Sequence, residues 1–398
     1  MIIQQNIIQD KLSEWIKIGI LLFLASMIFS IAIVQMTAGL LMVIWIVKII
    51  FAQRYKFIHT QFDLPVIIFI IIRVLSVLFS TNLSTSIPTL YKEIPFYFVF
   101  FVFTNSISVE NKKYLKLMIW ILIVSACIAA IYGTSKVLLG FEERATSSTS
   151  GYSTLGMFLA VIIAVTMGLG RNKEFFPSRL IWGLCVFIMC IGLLYTLNRT
   201  HWGVVGLIFL IVGIMRERWS LLFGIIIAGI AIWFVPTFAE RFYQMIHFLE
   251  YTSGRNIIWQ GALMILTSRP ILGFGPRTFE EIFPLRNQLE DKLIASWHND
   301  YLQVYMESGI FGLLAFLWII VSVYYFCVKI LKNKTIDSFY RDITFAIMLG
   351  MTAFFLTGLV GGFIIDPITS LLFRFLLALL ALVSVKFIYK ETERFEKV

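Results

Sequence analysis

The chain alternates between long apolar runs and short polar segments along most of its length. A membrane-spanning α-helix needs about 20 predominantly apolar residues, and twelve runs approach or reach that length. The pattern predicts an all-α integral membrane protein with about 12 transmembrane helices, the second and eighth of them short. The predicted runs cover residues 16–35, 38–53, 63–80, 91–107, 117–139, 153–170, 180–197, 202–215, 219–235, 305–329, 343–361 and 370–388.

The composition agrees with this pattern. Of the 398 residues, 59% are hydrophobic and 14% are charged, whereas soluble domains are about 45–50% apolar and about 25% charged. The 38 Phe, 15 Tyr and 10 Trp also exclude a disordered chain, because so much apolar mass does not stay solvated.

The formal net charge of +10 is explained by topology rather than by nucleic acid. Lys and Arg collect in cytoplasmic loops, and the short loops predicted on the opposite side hold only Arg144 and Arg199. Both termini are therefore predicted to be cytoplasmic, with the first run retained as a span rather than cleaved as a signal peptide. The predicted cytoplasmic cations are Lys11, Lys17, Arg54, Lys56, Lys112, Lys113, Lys116, Arg171, Lys173, Arg179, Arg216, Arg218, Lys332, Lys334, Arg341 and those of the C-terminal tail.

One connection, between the ninth and tenth runs, is far longer than the others, and long loops of this kind are usually functional. Apolar residues at three-to-four spacing predict loop helices over 238–251 and 255–268, with Ser253 capping the second. A third helix is predicted near 277–292. The chain is thus predicted to be one integrated domain, built from residues 1–235 with nine spans, the helical outer loop 236–304, and residues 305–398 with three spans and a cytoplasmic tail.

Positive charges on the outer side oppose the topology bias, so each requires a reason. Arg255 opens a predicted loop helix, where the helix dipole favours an anion. If Arg255 and the free N–H groups of that helix face one anion, they form a binding site that suits a diphosphate. The alternative for Arg144, Arg199 and Arg255 is a salt bridge with a nearby acid or with lipid phosphate. The acids available for it are Glu142, Glu143, Glu240 and Glu250.

Three histidines lie on the predicted outer side, and His247 among them is interpreted as a packing residue on an aromatic-rich helix. His298, at the exit of the long loop, is the best general-base candidate, because its ordinary pKa is about 6.5. His201 beside Trp202 is interpreted as an interface anchor. Arg73 and Arg374 are the ionisable residues noted within spans, where charges are often functional, and Arg374 is positioned to pair with Asp366. The remaining outer arginines are interpreted as solvated or headgroup-facing: Arg241, Arg269, Arg277 and Arg286.

Several catalytic motifs are missing from the sequence. It has no Walker A loop, no GxGxxG after a strand, no HExxH, no GxSxG and no CxxC. Glu290-Asp291 is a weak exception to the lack of paired acids for a metal. No metal site and no cofactor are predicted. Because ATP is not expected outside the cytoplasmic membrane, a reaction on the outer face would draw its energy from an activated, lipid-borne substrate.

The motifs of the long loop and its flanks resemble the O-antigen ligase and polymerase superfamily. Thr200 stands where that family usually has Gly, and Tyr152-Ser153 stands where Asn is common. The loop residues that carry the resemblance are Ser253-Gly254-Arg255, Trp259, Ala262, Met264, Pro270 and Gly273-Phe274-Gly275. Those outside this stretch are His298-Asn299-Asp300-Tyr301-Leu302, Glu307, Gly309, Gly312, Asn198-Arg199-Thr200, and Arg144 before Gly151 and Leu155-Gly156.

The resemblance implies a metal-independent, inverting glycosyltransferase of GT-C-like fold in the bacterial inner membrane, with a periplasmic active site. Its donor would be a glycan on undecaprenyl diphosphate, bound by Arg144, Arg199 and Arg255 so that the leaving group is stabilised. His298 would deprotonate or orient the acceptor hydroxyl. Substrate-binding roles of lower weight fall to Asn299, Glu307 and Arg73.

Three functions remain open at the level of sequence. A ligase would pass the glycan to the lipid A core oligosaccharide, and a polymerase would pass it to another lipid-linked repeat. A transporter of lipid-linked glycan would move it without breaking a bond. The single long loop with a histidine at its exit favours the ligase, and membrane lipids are the other expected partners.

Overall fold

The computed structural model describes residues 2–52, 55–248, 250–251, 254–289, 291 and 294–389. Every regular element in these ranges is helical, and two are short non-α turns at 286–288 and 385–389. The α-helices are α1 (Ile2–Ser26), α2 (Ile31–Phe51), α3 (Asp63–Leu78), α4 (Leu83–Thr104), α5 (Lys112–Leu138), α6 (Tyr152–Leu169), α7 (Arg179–Tyr195), α8 (Arg199–Met215), α9 (Arg218–Phe234), α10 (Pro236–Ile246), α11 (Arg255–Ile265), α12 (Phe279–Ile282), α13 (Asp300–Lys332), α14 (Ser338–Thr357) and α15 (Pro367–Ser384).

Each predicted run contains a helix, but the first boundary was wrong. The run 16–35 crosses a break between α1 and α2 at residues 27–30. Ser30 causes the break, since its side chain accepts a hydrogen bond from the Ile33 N–H at 3.2 Å and caps α2. Hydropathy does not register a capping serine within an apolar stretch.

By length and hydropathy, fewer than twelve of the described helices qualify as membrane spans. Among the described residues, six helices are long and apolar enough to cross a membrane, or seven if α9 and α10 form one span bent by 117°. Helices α3, α7 and α8 have only 16 or 17 residues, and α1 carries four charges between Asp10 and Lys17. The chain is a multi-pass membrane protein, while the count of twelve is not confirmed.

Helix α6 lies at the centre of the core and is buried along almost its whole length. It packs against α14 so closely that a Cβ on Gly168 would lie 2.5 Å from the Cα of Ala346. Glycine and alanine at such a crossing let helix backbones approach, which is how helices associate within lipid. This core fixes the start of α6, next to the candidate site.

Helix α13 is broken near its start, and the long loop binds to the break. Gly309 has φ 65° and ψ −166°, and a Cβ there would collide with the loop backbone. The Ile310 N–H donates to Pro270 O at 2.7 Å, and the Phe274 N–H donates to Met306 O at 2.8 Å. The Gly-Phe-Gly motif and its neighbours therefore anchor the loop to α13.

The loop itself departs from the prediction after α11. Instead of a helix near 277–292, the described residues form only α12 and one 3-10 turn at 286–288. Pro284 explains this, because the residue before a proline is driven out of helical conformation, and Phe283 is extended at ψ 114°. The predicted cap Ser253 lies outside the described residues.

A buried charge network joins α3, α4 and α13. Arg73 donates to both carboxylate oxygens of Glu93, at 2.8 and 3.0 Å, and lies 2.6 Å from Glu307. The sequence interpretation overlooked Glu93. Its pairing of Arg374 with Asp366 was wrong, since Arg374 donates to its own helix at Ser370 O, 2.8 Å away.

We expect Arg73→Met to destabilise the protein strongly, because it leaves two buried carboxylates without their ion-pair partner. Breaking such a pair typically costs about 3–5 kcal/mol. The thermal unfolding of the detergent-solubilised protein measures the loss, and Arg73→Met with Glu93→Met and Glu307→Gln should regain part of it. Unfolding of the single variant at the wild-type temperature would contradict this account of the network.

The two ends of the helix bundle bring different segments together. At one end, the loops predicted to be cytoplasmic lie together through ion pairs such as Lys112–Asp337 and Arg216–Asp342. At the other end lie the starts of α6, α8, α11 and α13. That second end carries the candidate site.

Candidate functional site

A cavity of about 440 Å³ opens at this second end, between α8, α10, α11 and α14. Arg199 and Arg255 both line it, although they are 56 positions apart in sequence. Each is the first residue of its helix, so the positive ends of two helix dipoles lie beside the cavity. The cavity therefore combines two guanidinium groups with two positive helix ends, which suits an anion.

Arg199 is held by main-chain oxygens. Its guanidinium donates to Gln244 O at 3.0 Å and to Tyr251 O at 2.9 Å, at the C-terminal end of α10 and just beyond it. Helix C-terminal carbonyls carry partial negative charge, which favours a cation there. This anchorage fixes the guanidinium at the cavity wall.

Arg255 has an unsatisfied group that points to a ligand. Its Nε is buried and has no hydrogen-bond partner among the described residues. Burial and then the charge of Arg199 lower the pKa of Arg255. The preceding Gly254 has φ 76° and offers no side chain to cap α11.

Arg144 joins the cluster through an aromatic residue. Its guanidinium lies 4.5 Å from the ring centroid of Tyr152, the first residue of α6, and its charge acts on Arg199. Tyr152 also interacts electrostatically with Arg255. The sequence interpretation treated Tyr152 only as a departure from the family pattern and so missed it.

Arg144 and Arg255 form no salt bridge with the acids considered in the sequence analysis. No carboxylate in the described ranges forms an ion pair with either guanidinium, and Glu142 instead pairs with Lys136 at 2.7 Å. Glu240 accepts a hydrogen bond from Gln244 at 3.0 Å. Among the described residues, no carboxylate thus compensates the charge of Arg144 or of Arg255, which lines the cavity.

His298 stands close to the same charges. It adopts φ 48°, in the left-handed region that non-glycine residues rarely occupy. Burial, then the charge of Arg255, lowers the pKa of His298, while Asp291 acts in the opposite direction. This shift favours the neutral imidazole, the form that a general base requires.

Asn299 and Glu307, which had lower weight, serve to position the loop. The Asn299 side chain caps α13 by accepting from Leu302 N–H at 2.9 Å and donates to Leu359 O at 2.9 Å. Glu307 is buried between Arg73 and the backbone N–H of Arg277, which donates to it at 2.8 Å. Neither residue lines the cavity that holds Arg199 and Arg255, which we call the arginine cavity.

His201 is buried rather than interfacial. It is 2% exposed, and a Cβ on Gly156 would lie 2.6 Å from its Nδ1. Its position beneath α6 explains why the family-like Leu155-Gly156 pair needs a glycine.

The described residues contain no group of three or more His, Cys, Asp or Glu side chains placed to hold a metal ion. A comparison with curated proteins finds no match to the chain. Residues 184–317, the segment that holds Arg199, Arg255 and His298, match the family model described as O-antigen ligase, which confirms the resemblance to the O-antigen ligase superfamily.

Proposed function

We propose that the protein is an O-antigen ligase that transfers a glycan from undecaprenyl diphosphate to the lipid A core oligosaccharide. The observation that carries the proposal is the cavity lined by Arg199 and Arg255, with His298 close enough to Arg255 for that charge to act on it. The family match supports a ligase or polymerase type of function. The identities of the donor and the acceptor are part of our proposal.

The reaction is a single displacement at the anomeric carbon of the donor. The acceptor oxygen forms the new glycosidic bond as the bond from the anomeric carbon to the diphosphate oxygen breaks. The leaving diphosphate keeps the bonding electron pair, and the acceptor proton passes to the His298 imidazole. One displacement inverts the anomeric configuration.

The arginines stabilise the charge that develops on the leaving group. Arg199 is fixed by two carbonyl oxygens, while Arg255 retains a buried donor without a partner in the described structure. Donors fixed in advance at a developing anion cost no reorganisation during the reaction. Arg144, stacked on Tyr152, adds a third positive charge at the edge of the site.

The acceptor separates a ligase from a polymerase. Purified protein is incubated with lipid-linked glycan, with and without core lipid A, and the products are resolved on a gel. The proposal predicts a glycan–lipid A product only when lipid A is present. Growth of lipid-linked chains without lipid A would instead identify a polymerase.

Glycan transfer should continue at the full rate in EDTA, because we propose that the arginines take the part a divalent cation plays elsewhere. The rate of product formation is measured before and after chelation. Loss of activity that Mg²⁺ or Mn²⁺ restores would contradict this.

A transporter would use the same cations without breaking a bond. If Arg255→Ala and His298→Ala abolished glycan export while leaving glycan transfer intact, the transporter interpretation would replace the ligase.

A further inference from the structure

A second cavity, of about 520 Å³, lies between α11 and the start of α13. Its lining includes three aromatic residues, Trp259, Tyr301 and Tyr305. Trp259 also lines the arginine cavity, so the two cavities meet at this side chain. We call the second cavity the aromatic groove.

The tyrosines of the aromatic groove have their hydroxyl groups occupied. The Tyr301 hydroxyl donates to Phe355 O at 3.1 Å, and the Tyr305 hydroxyl donates to Leu266 O at 3.0 Å. These bonds tie α13 to α14 and to the end of α11. What the two side chains offer to the groove is therefore their rings, beside a Trp259 that is 38% exposed.

Aromatic rings in this arrangement suit a sugar. A pyranose carries C–H groups on one face, and these pack against the electron-rich face of an aromatic ring. Its hydroxyl groups remain at the ring edge, where they keep their hydrogen bonds to water. The groove volume also falls within the range of about 300–1,000 Å³ that is typical of ligand pockets.

The position of the aromatic groove selects the acceptor over the donor. Asn299 lines the groove and directly follows His298. The base must reach the acceptor hydroxyl, whereas the donor diphosphate belongs with the arginines on the other side of Trp259.

We propose that the aromatic groove binds the terminal saccharide of the acceptor and presents its hydroxyl to His298. That the bound saccharide is the acceptor rests on the proposed function, but binding of a sugar to the groove is testable without any transfer. An acyl chain, the other occupant of suitable shape, is an outcome of the same test.

The direct test is saturation-transfer NMR on the full-length protein in nanodiscs. The probes are methyl β-D-glucoside, methyl β-D-galactoside and methyl β-D-N-acetylglucosaminide. We expect transfer to the C–H protons of at least one probe, kept in Trp259→Phe and lost in the double variant Trp259→Leu, Tyr305→Leu. Trp233→Leu, at an 84% exposed position on α9, is the matched control and should behave as wild type.

Two results would overturn the proposal. One is the absence of saturation transfer to all three probes, and the other is equal transfer in wild type and double variant. Protection of the groove from solvent by added phospholipid acyl chains, with no effect of the sugars, would assign the groove to lipid instead.

Kinetics distinguish failure of the subsite from failure of the proposed function. In Tyr305→Leu, at a residue that lines the groove and not the cavity of Arg199 and Arg255, the acceptor KM should rise roughly tenfold or more, with the donor KM changed by less than about twofold. Transfer that does not depend on Tyr305 would remove the subsite alone. If the protein bound sugars but had no transfer activity, the ligase assignment would be rejected and the saccharide-binding site would stand.

Discussion

We expect Arg255→Lys to lower kcat by roughly 100- to 1,000-fold, the loss seen when one preorganised donor to a developing anion is removed. Lysine keeps the charge but offers a point ammonium in place of a planar fork. The buried Nε of Arg255, which has no partner among the described residues, is the donor that lysine cannot replace. Transfer of glycan from lipid-linked donor is the measurement.

Arg269→Lys is the matched control for this substitution. Arg269 follows α11 and donates to Phe79 O at 3.0 Å, and it does not line the arginine cavity. We expect it to keep near wild-type activity. A wild-type kcat in Arg255→Lys would contradict a bidentate contact between Arg255 and the leaving diphosphate.

The second large effect is expected at His298. A positioned general base typically contributes about 100- to 10,000-fold to a rate, and His298→Asn should lose that contribution. Asparagine is the informative replacement because it tolerates the left-handed backbone at φ 48° far better than alanine. Activity is compared with that of His247→Asn, because the wild-type His247 imidazole stacks on Tyr243.

The pH dependence gives a second readout of the same residue. Burial and Arg255 lower the pKa of His298, so the base stays deprotonated to lower pH than an ordinary histidine. The acid limb of kcat/KM should therefore lie below about pH 6.5 and vanish in His298→Asn. An acid limb above that value, or an unchanged limb in the variant, would exclude His298 as the base.

The positions of the cations could be predicted from sequence because topology makes an outer arginine unusual. Arg144, Arg199 and Arg255 stood out for that reason, and Arg255 was predicted at a helix start, where α11 begins. The contact with Tyr152 could not be predicted. It depends on how the start of α6 meets the preceding loop, which is set by the burial of α6 against α14.

The fold was predictable where hydropathy decides it and not where a single residue interrupts it. Ser30 divides the first two helices by capping, and Pro284 ends the loop helix early. The break in α13 depends on Gly309 meeting the loop backbone, a contact between distant segments. The partner of Arg73 was missed because Glu93 lies 20 positions away on another helix.

Binding of undecaprenyl diphosphate tests the central claim most directly, since it requires neither acceptor nor turnover. The affinity of the full-length protein in nanodiscs is measured for undecaprenyl diphosphate and for undecaprenol, in wild type and in the double variant Arg199→Gln, Arg255→Gln. Charge-assisted hydrogen bonds contribute about 1.5–3 kcal/mol each, so the double variant should bind the diphosphate roughly 100-fold more weakly or worse, with undecaprenol unaffected. Equal affinity of both proteins for the diphosphate would contradict an arginine-lined donor site.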